Sequence, residues 1–455
     1  MASPRRVSVL LAAAVAAVAT LVAPVAQAQS LIRDTEIEEI LRKRSEPVLK
    51  ASGLRPDDVS FYLIADKELN AFVTGGQNIF LHTGLIQEAE TPNQLLGVIA
   101  HEAGHISGGH IVRQGEMQKA GMKPFLLTMG LGIMAALAGA PDAGAALIGS
   151  SSYFGTLGVL TYSRVQEGSA DQAAATALDQ AGLSGKGLVE FFDNFRYQEV
   201  FSEAKKYQFF RSHPLSSERI EALRRRVETM PNYDKPDTAE AQTEHALVKA
   251  KLDGFLNPPQ QTFVKYKEKD ASFPARYARA IAYYRSTDFD RALTLLDALL
   301  AEQPENPYLW ELKGQIYFES ARPALAEPAH RKSVELKPDA PLLRVNLAQT
   351  LLALDKKERV EEAIAELGKA LTFENDNAFA WRLLSQAFDA KDMPGQARLA
   401  AAEYHYAVGE KREAKTFAMR AREMLAKDTP DWRRATDIVL VSDPTDDDLK
   451  AIGAG

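Results

Sequence analysis

The chain contains no cysteine, and this absence excludes several kinds of linkage and site. No disulfide bond and no lipid attached through a cysteine can form, and a cysteine-free chain cannot mispair in an oxidising compartment. Thiolate metal ligands are excluded as well. Any metal site in this chain must therefore be built from histidine and carboxylate side chains.

An excess of positive charge is also lacking. The 455 residues carry a formal net charge of -7, whereas a nucleic-acid-binding protein presents a basic face to phosphates. No nucleic acid is therefore expected as a partner. The 46% of hydrophobic and 25% of charged residues are typical of a soluble globular protein. The length allows two or three domains.

Long hydrophobic runs are few, and the first lies at the N-terminus. Two arginines precede an uncharged apolar run from Val7 to about Val25, and Ala26-Gln27-Ala28 follows it. A positive start, an apolar centre and a small-residue cleavage site form the pattern of a secretory signal peptide. We predict a signal peptide over residues 1–28, with a retained membrane anchor as the alternative.

A second stretch with little charge runs from Pro124 to Ser163, where Asp142 is the only charged residue. Its two Ala- and Gly-rich segments fall short of the roughly 20 strongly apolar residues that a membrane-spanning helix needs. We predict that 124–163 forms a pair of short helices. Burial against the protein or a peripheral membrane contact is favoured over spanning.

Residues 29–255 mix strand and helix patterns, which predicts an α+β domain. The apolar run at residues 61–64 is typical of a strand. Residues 71–73 and the segment Asn78, Ile79, Phe80 and Leu81 flank a Gly75-Gly76 turn signal, which predicts a β-hairpin.

A helix is predicted to follow this hairpin. Thr91 is a suitable N-cap, Pro92 suits the first helical position, and Gln94 stands three residues after the cap. We expect the helix to run to about Ser107, and a second helix to cover about Leu160 to Ala181.

The first of these helices contains the motif His101-Glu102-Ala103-Gly104-His105. Residues i and i+4 share one helix face, so both imidazoles can bind one ion. Glu102 lies beside them, where it can act as a base towards water. The motif alone also fits a helix with two half-exposed histidines.

Zinc at a catalytic site takes three protein ligands, so a third ligand must exist. One class of zinc peptidase places a histidine six residues after the second motif histidine, but that position is Ile111, so His110 misses the pattern by one residue. Glu167 is the better candidate. Asp171 lies one helical turn later, where it can accept a hydrogen bond from a ligating histidine. An ordinary solvated acidic pair is the alternative.

The C-terminal half is repetitive. The segment starting at Pro304 recurs at Pro338, 34 residues later, and again at Asn375 after a further 37 residues. We assign the three extra residues to a charged loop at residues 355–358. Small residues recur in step at Ala292, Ala326 and Ala363. A 34-residue period with this pattern resembles the tetratricopeptide repeat, which stacks into an all-α solenoid.

These observations predict a domain order along the chain. A metallopeptidase domain covers 29–255, a linker 256–272, the repeat domain 273–427 and a C-terminal tail 428–455. The residues from Pro444 onwards are acidic, then small and polar, and are expected to be poorly ordered.

Three motifs in order resemble one known family. They are the motif at 101–105, Arg164-x-x-Glu167-x-x-Ala170-Asp171, and His213-Pro214-Leu215-x-x-x-Arg219. Together they are similar to those of the CAAX-prenyl-protease-like zinc metallopeptidases. The signal peptide and the repeats make the chain most similar to the periplasmic members of that family.

The resemblance implies an α+β gluzincin-type metallopeptidase domain followed by an all-α tetratricopeptide-repeat solenoid. It implies one Zn²⁺ per chain on His101, His105 and Glu167, with Glu102 as the catalytic base. It further implies a periplasmic endopeptidase in outer-membrane protein quality control. The expected partners are unfolded or misassembled outer-membrane proteins and their assembly machinery.

The resemblance also assigns roles to three other parts of the chain. It makes His213 a loop histidine that can occupy the open zinc position and hold the enzyme off. It places Arg219 near the site, where a fixed cation can stabilise an oxyanion. The strand Asn78 to Leu81 is expected to be an edge strand that binds extended substrate by β-addition.

Two other functions remain open from the sequence. The chain can be a chaperone or assembly scaffold that acts through its repeats, with secondary or no proteolysis. It can also be a scaffold with a structural zinc, in which His213 is a permanent fourth ligand. The sequence leaves open whether the repeats bind substrate, a partner or the peptidase domain itself.

Overall fold

The computed structural model describes residues 31–110, 113–137, 141–200, 213, 216–354 and 356–453. The predicted signal peptide lies outside the described residues. Within them, a small sheet and a helical layer at the N-terminal end are followed by paired helices.

The sheet has four strands in the order β1-β2-β4-β3. The predicted hairpin is confirmed, because β3 and β4 pair antiparallel with Ala71 opposite Leu81. Gly75 and Gly76 have φ values of +42° and +93° in the turn, a conformation that glycine adopts without strain. The strands are β1 (Leu31–Ile32), β2 (Ser60–Ile64), β3 (Ala71–Thr74) and β4 (Asn78–His82).

The prediction that Asn78 to Leu81 forms an edge strand is wrong. β4 pairs with β3 on one side and, in parallel, with β2 on the other. Both sides of its backbone are therefore occupied, and β3 is the edge strand next to it. A hairpin pattern shows only the local partner of a strand, whereas the parallel partner β2 comes from residues 60–64.

Eight helices with described bounds follow or flank the sheet before the linker. They are α1 (Thr35–Ala51), α2 (Thr83–Glu88), α3 (Pro92–Ser107), α4 (Gln114–Leu137), α5 (Pro141–Gln180), α6 (Lys186–Val200), α7 (Ser217–Val227) and α8 (Ala239–Leu256). The predicted start of α3 is confirmed, since the Thr91 hydroxyl accepts a hydrogen bond from the backbone N–H of Gln94. Its apolar side packs into one core with the sheet and with α1, α5 and α6.

The segment 124–163 falls in two helices, α4 and α5, that pack against each other. They are longer than predicted, with 24 and 40 residues. α5 also begins at Pro141, whereas the sequence predicted a helix from about Leu160. Of the described helices, none is long and apolar enough to cross a membrane. Leu127 and Met134 of α4 are each 65% exposed, and contact with a membrane surface stays a prediction.

The predicted repeats are confirmed as successive helix pairs. Three side chains at corresponding repeat positions each donate a hydrogen bond to the backbone carbonyl six residues earlier. The pairs are Trp310 to Pro304 at 2.8 Å, Arg344 to Pro338 at 2.8 Å, and Trp381 to Asn375 at 2.7 Å. The pairs are α10 (Phe273–Arg285) with α11 (Phe289–Glu302), α12 (Pro307–Glu319) with α13 (Pro323–Leu336), α14 (Pro341–Ala353) with α15 (Lys357–Phe373), α16 (Ala378–Ala390) with α17 (Pro394–Ala407), and α18 (Lys411–Met424) with α19 (Pro430–Val441).

The alanines that recur in the repeats face the core. Ala292, Ala326 and Ala363 are completely buried. The 37-residue spacing between the second and third repeats has a different cause from the predicted loop insertion. The three extra residues do not lengthen a loop. They lie in α15, which has 17 residues where α13 has 14, so the insertion adds about one helical turn.

Both the linker and the tail are structured in the described residues. A helix, α9 (Pro259–Lys265), lies within the predicted linker. The expectation of a poorly ordered tail is wrong, because α20 (Asp446–Ile452) is capped at Thr445 and buries Ile452 against α19. Capping boxes and a single buried apolar residue are weak sequence signals in an acidic segment.

Candidate metal centre

Two helices carry the candidate ligands and approach each other closely. α3 provides His101 and His105, and α5 provides Glu167. A Cβ atom on Gly104 would lie 2.8 Å from the carbonyl oxygen of Ala170 on α5. Glycine inside the motif therefore allows the backbone of α5 to pack directly against α3, which brings the carboxylate to the histidines.

Four side chains meet at one point: His101, His105, Glu167 and His213, with their donor atoms within 4.8 Å of one another. The Nε2 atoms of His101 and His105 are 3.1 Å apart, and Glu167 lies 3.3 Å and 3.4 Å from them. His213 Nδ1 is 3.2 Å from His101 Nε2 and 3.1 Å from Glu167 Oε2. All four residues are buried.

The donor set fits zinc. Ligands at about 2.0–2.1 Å in a tetrahedron are about 3.3 Å from one another, and five of the six donor separations, those between 3.1 and 3.4 Å, lie close to that value. Three imidazole nitrogens and a carboxylate converging on a point leave lone pairs facing each other unless a cation lies between them. His101, His105 and Glu167 match the predicted ligands, and His213 supplies the fourth donor.

The charges of the cluster shift the pKa values of its members in different directions. Burial lowers the pKa of His101, but hydrogen bonds to Asp171 and Glu167 outweigh it and raise the pKa to about 10. Burial and the charge of His101 lower the pKa of His105 to about 2. Burial raises the pKa of Glu167, yet the neighbouring histidines hold it well below its usual range.

Glu102 lies beside the cluster and outside it. Its side chain is fully buried, and neither of its carboxylate oxygens has a hydrogen-bond partner among the described residues. Burial raises the pKa of Glu102. A buried carboxylate that lacks partners is costly for the fold, which favours a functional reason for keeping it.

A chain of hydrogen bonds fixes the first ligand. Asp171 Oδ1 is 2.9 Å from Nδ1 of His101, so it orients the ring and leaves Nε2 directed at the cluster. Arg219 in turn holds Asp171 through its Nε at 2.5 Å and Nη2 at 2.9 Å.

Arg219 also reaches a ligand directly, because its Nη1 is 3.2 Å from Glu167 Oε2. All three guanidinium nitrogens therefore face carboxylates of the site. This is the arrangement of a positioning residue, whereas the sequence analysis predicted an oxyanion-stabilising role, which stays a prediction.

The helix α7 places Arg219 and follows the segment that carries His213. The Ser216 hydroxyl caps α7 by accepting from the backbone N–H of Arg219. Residues 214–215 lie outside the described part of the chain. The Nε2 atom of His213 is 3.5 Å from Glu102 Oε1, so this imidazole faces the ligands on one side and the candidate base on the other.

Two further residues lie near the centre. From the sequence, His110 is rejected as a ligand and Phe192 is not identified. His110 is not among the four donors, but its Nδ1 is 2.9 Å from Nδ1 of His105. Phe192 on α6 lies edge-on to His101, with ring centroids 6.0 Å apart. The spacing of five residues after His105 was the only signal for His110, and Phe192 had none.

Comparison with known proteins finds two stretches of the chain that match family profiles. Residues 33–227 match the profile of peptidase family M48, and residues 277–341 match a tetratricopeptide repeat profile.

Curated relatives extend over most of the chain. A putative beta-barrel assembly-enhancing protease of Vibrio cholerae serotype O1 is 26% identical over 368 residues, covering 79% of this chain and 74% of the relative. The beta-barrel assembly-enhancing protease of Escherichia coli K12 is 26% identical over 365 residues, covering 78% and 72%. The metalloprotease LoiP of Escherichia coli K12 is 31% identical over 193 residues, covering 41% and 70%.

Proposed function

The chain belongs to peptidase family M48, and from this we propose that it is a periplasmic zinc endopeptidase that degrades misfolded or misassembled outer-membrane proteins. The observation that carries the catalytic part is the convergence of His101, His105 and Glu167 beside the buried carboxylate of Glu102. Peptidases with this donor set bind one zinc ion.

Each residue has one task in the proposed mechanism. Zinc, when bound, supplies a Lewis acid that polarises the substrate carbonyl and acidifies water. Glu102 accepts the proton of the attacking water and delivers it to the leaving amine. Asp171 holds the orientation of His101, and Arg219 holds Asp171 and Glu167. Of the two edge strands, β3 is the one that contacts α3, and it is the strand proposed to pair with an extended peptide.

The outer-membrane part of the proposal rests on the relatives and on the repeats. Two relatives that span most of this chain carry the name beta-barrel assembly-enhancing protease. Stacked repeats provide an extended surface for polypeptides. The predicted signal peptide would deliver the chain to the periplasm, where unassembled outer-membrane proteins are present.

The decisive test is Glu102→Gln in the purified mature protein, with an unfolded outer-membrane protein as substrate. We expect zinc to stay at one ion per chain and cleavage to fall by about 10²–10⁴-fold, which is the usual contribution of a general base. Glu46→Gln, at an exposed position on α1, is the matched control and should cleave normally. Undiminished cleavage by Glu102→Gln would show that Glu102 is not the base.

The same variant separates the peptidase from the scaffold alternative. If cells with Glu102→Gln assemble their outer membrane normally while cells lacking residues 273–427 do not, the repeats and not the peptidase carry the function. If the peptidase carries the function, a misfolded substrate should instead accumulate on the Glu102→Gln variant, because it is bound but not cleaved.

A further inference from the structure

His110 contacts the ligand His105 through both backbone and side chain. After α3 ends, Gly109 takes the left-handed conformation with φ +65°, and the chain turns back. The backbone N–H of His110 then donates to the carbonyl of His105 at 3.1 Å. The two Nδ1 atoms are 2.9 Å apart, so the two rings are joined at a defined position.

The direction of the side-chain hydrogen bond follows from the ligand role of His105. Its Nε2 faces the other donors of the cluster. An imidazole that gives its Nε2 lone pair to a cation carries its proton on Nδ1 and can only donate there. His110 must therefore accept with the Nδ1 lone pair and carry its own proton on Nε2.

We propose that His110 is a positioning residue that fixes the ring of His105 for metal binding. This inference rests on the proposed zinc site. The two ligating histidines are then held differently, because Nδ1 of His101 lies 2.9 Å from the carboxylate of Asp171 and His105 donates to a neutral imidazole. A neutral acceptor fixes the ring without placing another negative charge beside Glu167 and Glu102.

The test compares three substitutions of His110 by zinc affinity, measured in competition with a chelator. His110→Leu removes the acceptor and should weaken zinc binding about 10–100-fold, as loss of such partners does. His110→Asn puts a carbonyl oxygen near the position of Nδ1 and should stay within about threefold of the natural protein. His110→Gln carries its oxygen one bond further out, at the position of Nε2, and should resemble His110→Leu.

Zinc affinities that are equal in all three variants and the natural protein would overturn the proposal. His405→Leu, in the repeats and bonded to Glu410, is the control for loss of any histidine. If His110→Leu does not fold, the difference in zinc affinity between His110→Asn and His110→Gln still tests the proposal. A natural protein that binds no zinc would instead contradict the proposed function.

Discussion

His213 lies between the candidate ligands and the candidate base. Its Nδ1 is among the ligand atoms and its Nε2 faces Glu102, so it takes a fourth donor position, which a catalytic zinc site keeps open for water. A permanent fourth ligand and a displaceable gate both produce this geometry. They differ in what happens when the imidazole is removed.

We predict that His213→Ala keeps one zinc per chain and raises kcat/KM for an unfolded substrate. Removing the fourth donor opens a coordination position, and if the closed form is favoured by about 1.4 kcal/mol the gain is about tenfold. Zinc content by elemental analysis and cleavage rates measure the two effects. Loss of zinc from His213→Ala, with His405→Ala unaffected, would identify a structural ligand.

The residues of the site differ in how far they were predictable. Helix periodicity puts His101 and His105 on one face, because i and i+4 share a face, and the motif puts Glu102 beside them. Glu167 needed Asp171 as a neighbour and the family resemblance. The contact of His110 with His105 depends on a left-handed turn after α3, and a pattern test for ligands cannot detect a residue that acts through another.

At the scale of elements, close packing between helices is set by glycines. Gly104 allows α5 to approach α3. In the repeats, Gly314 of α12 plays the same part towards α13, because a Cβ there would lie 2.1 Å from Cδ2 of the buried His330. By contrast, Gly368 of α15 has no atom within 4 Å of its Cβ position.

We predict opposite effects for alanine at two helical glycines of the repeats. Gly314→Ala should lower the free energy of unfolding by about 1–3 kcal/mol, because the buried imidazole of His330, which forms a hydrogen bond with Thr350 at 2.8 Å, would have to shift to admit the methyl group. Gly368→Ala should raise it by up to about 1 kcal/mol, since alanine is the better helix former in open space. Urea unfolding followed by circular dichroism measures both.

Equal effects of the two alanine substitutions would contradict the packing between α12 and α13. Helix propensity alone would make both substitutions stabilising, so the sign for Gly314 is the informative result.

Elements were predicted well where the signal is local, and less well where partners are distant. The hairpin, the cap of α3 and the repeat period are local patterns, and the structure contains them. The central position of β4 depends on its pairing with β2, which no local pattern shows. The length of α5 was underestimated because its Ala- and Gly-rich first half lacks the apolar periodicity that marks a helix.

Over the whole molecule, a group of buried polar side chains lies where the first repeat helix meets the peptidase domain. Lys251 of α8 is 3% exposed and pairs with Asp34 at 2.8 Å and with Glu36 at 2.9 Å. Tyr277, in the first repeat helix, donates to Glu36 at 3.1 Å. Nearer the protein surface, Arg33 pairs with Glu374 at 2.6 Å. One surface of the repeats is thus occupied by the peptidase domain itself.

We predict that Lys251→Met destabilises the chain by about 3 kcal/mol, because removing one partner leaves buried carboxylates without their cation. The exposed control Lys43→Met, which breaks ion pairs with Glu240 and Glu244, should change the free energy of unfolding by less than about 1 kcal/mol. Urea unfolding measures both, and limited proteolysis between residues 257 and 272 should be faster only in the Lys251 variant.

Similar losses in the two lysine variants would mean that the buried ion pairs of Lys251 stabilise the chain no more than exposed ones do. No local pattern in the sequence predicts these contacts, since Glu36 and Lys251 are ordinary helix residues until the fold brings them together.

The helix α8 contributes to two hydrophobic cores, with Val248 and Leu252 in that of the peptidase domain and Leu247 and Phe255 against the first repeats. The order in which the chain is made therefore affects its folding. The counter-ion of Asp34 is made 217 residues after it, so this contact of the first helix forms only once α8 is present. A polypeptide that emerges N-terminus first completes this part of its peptidase domain only after more than half of the chain has been made.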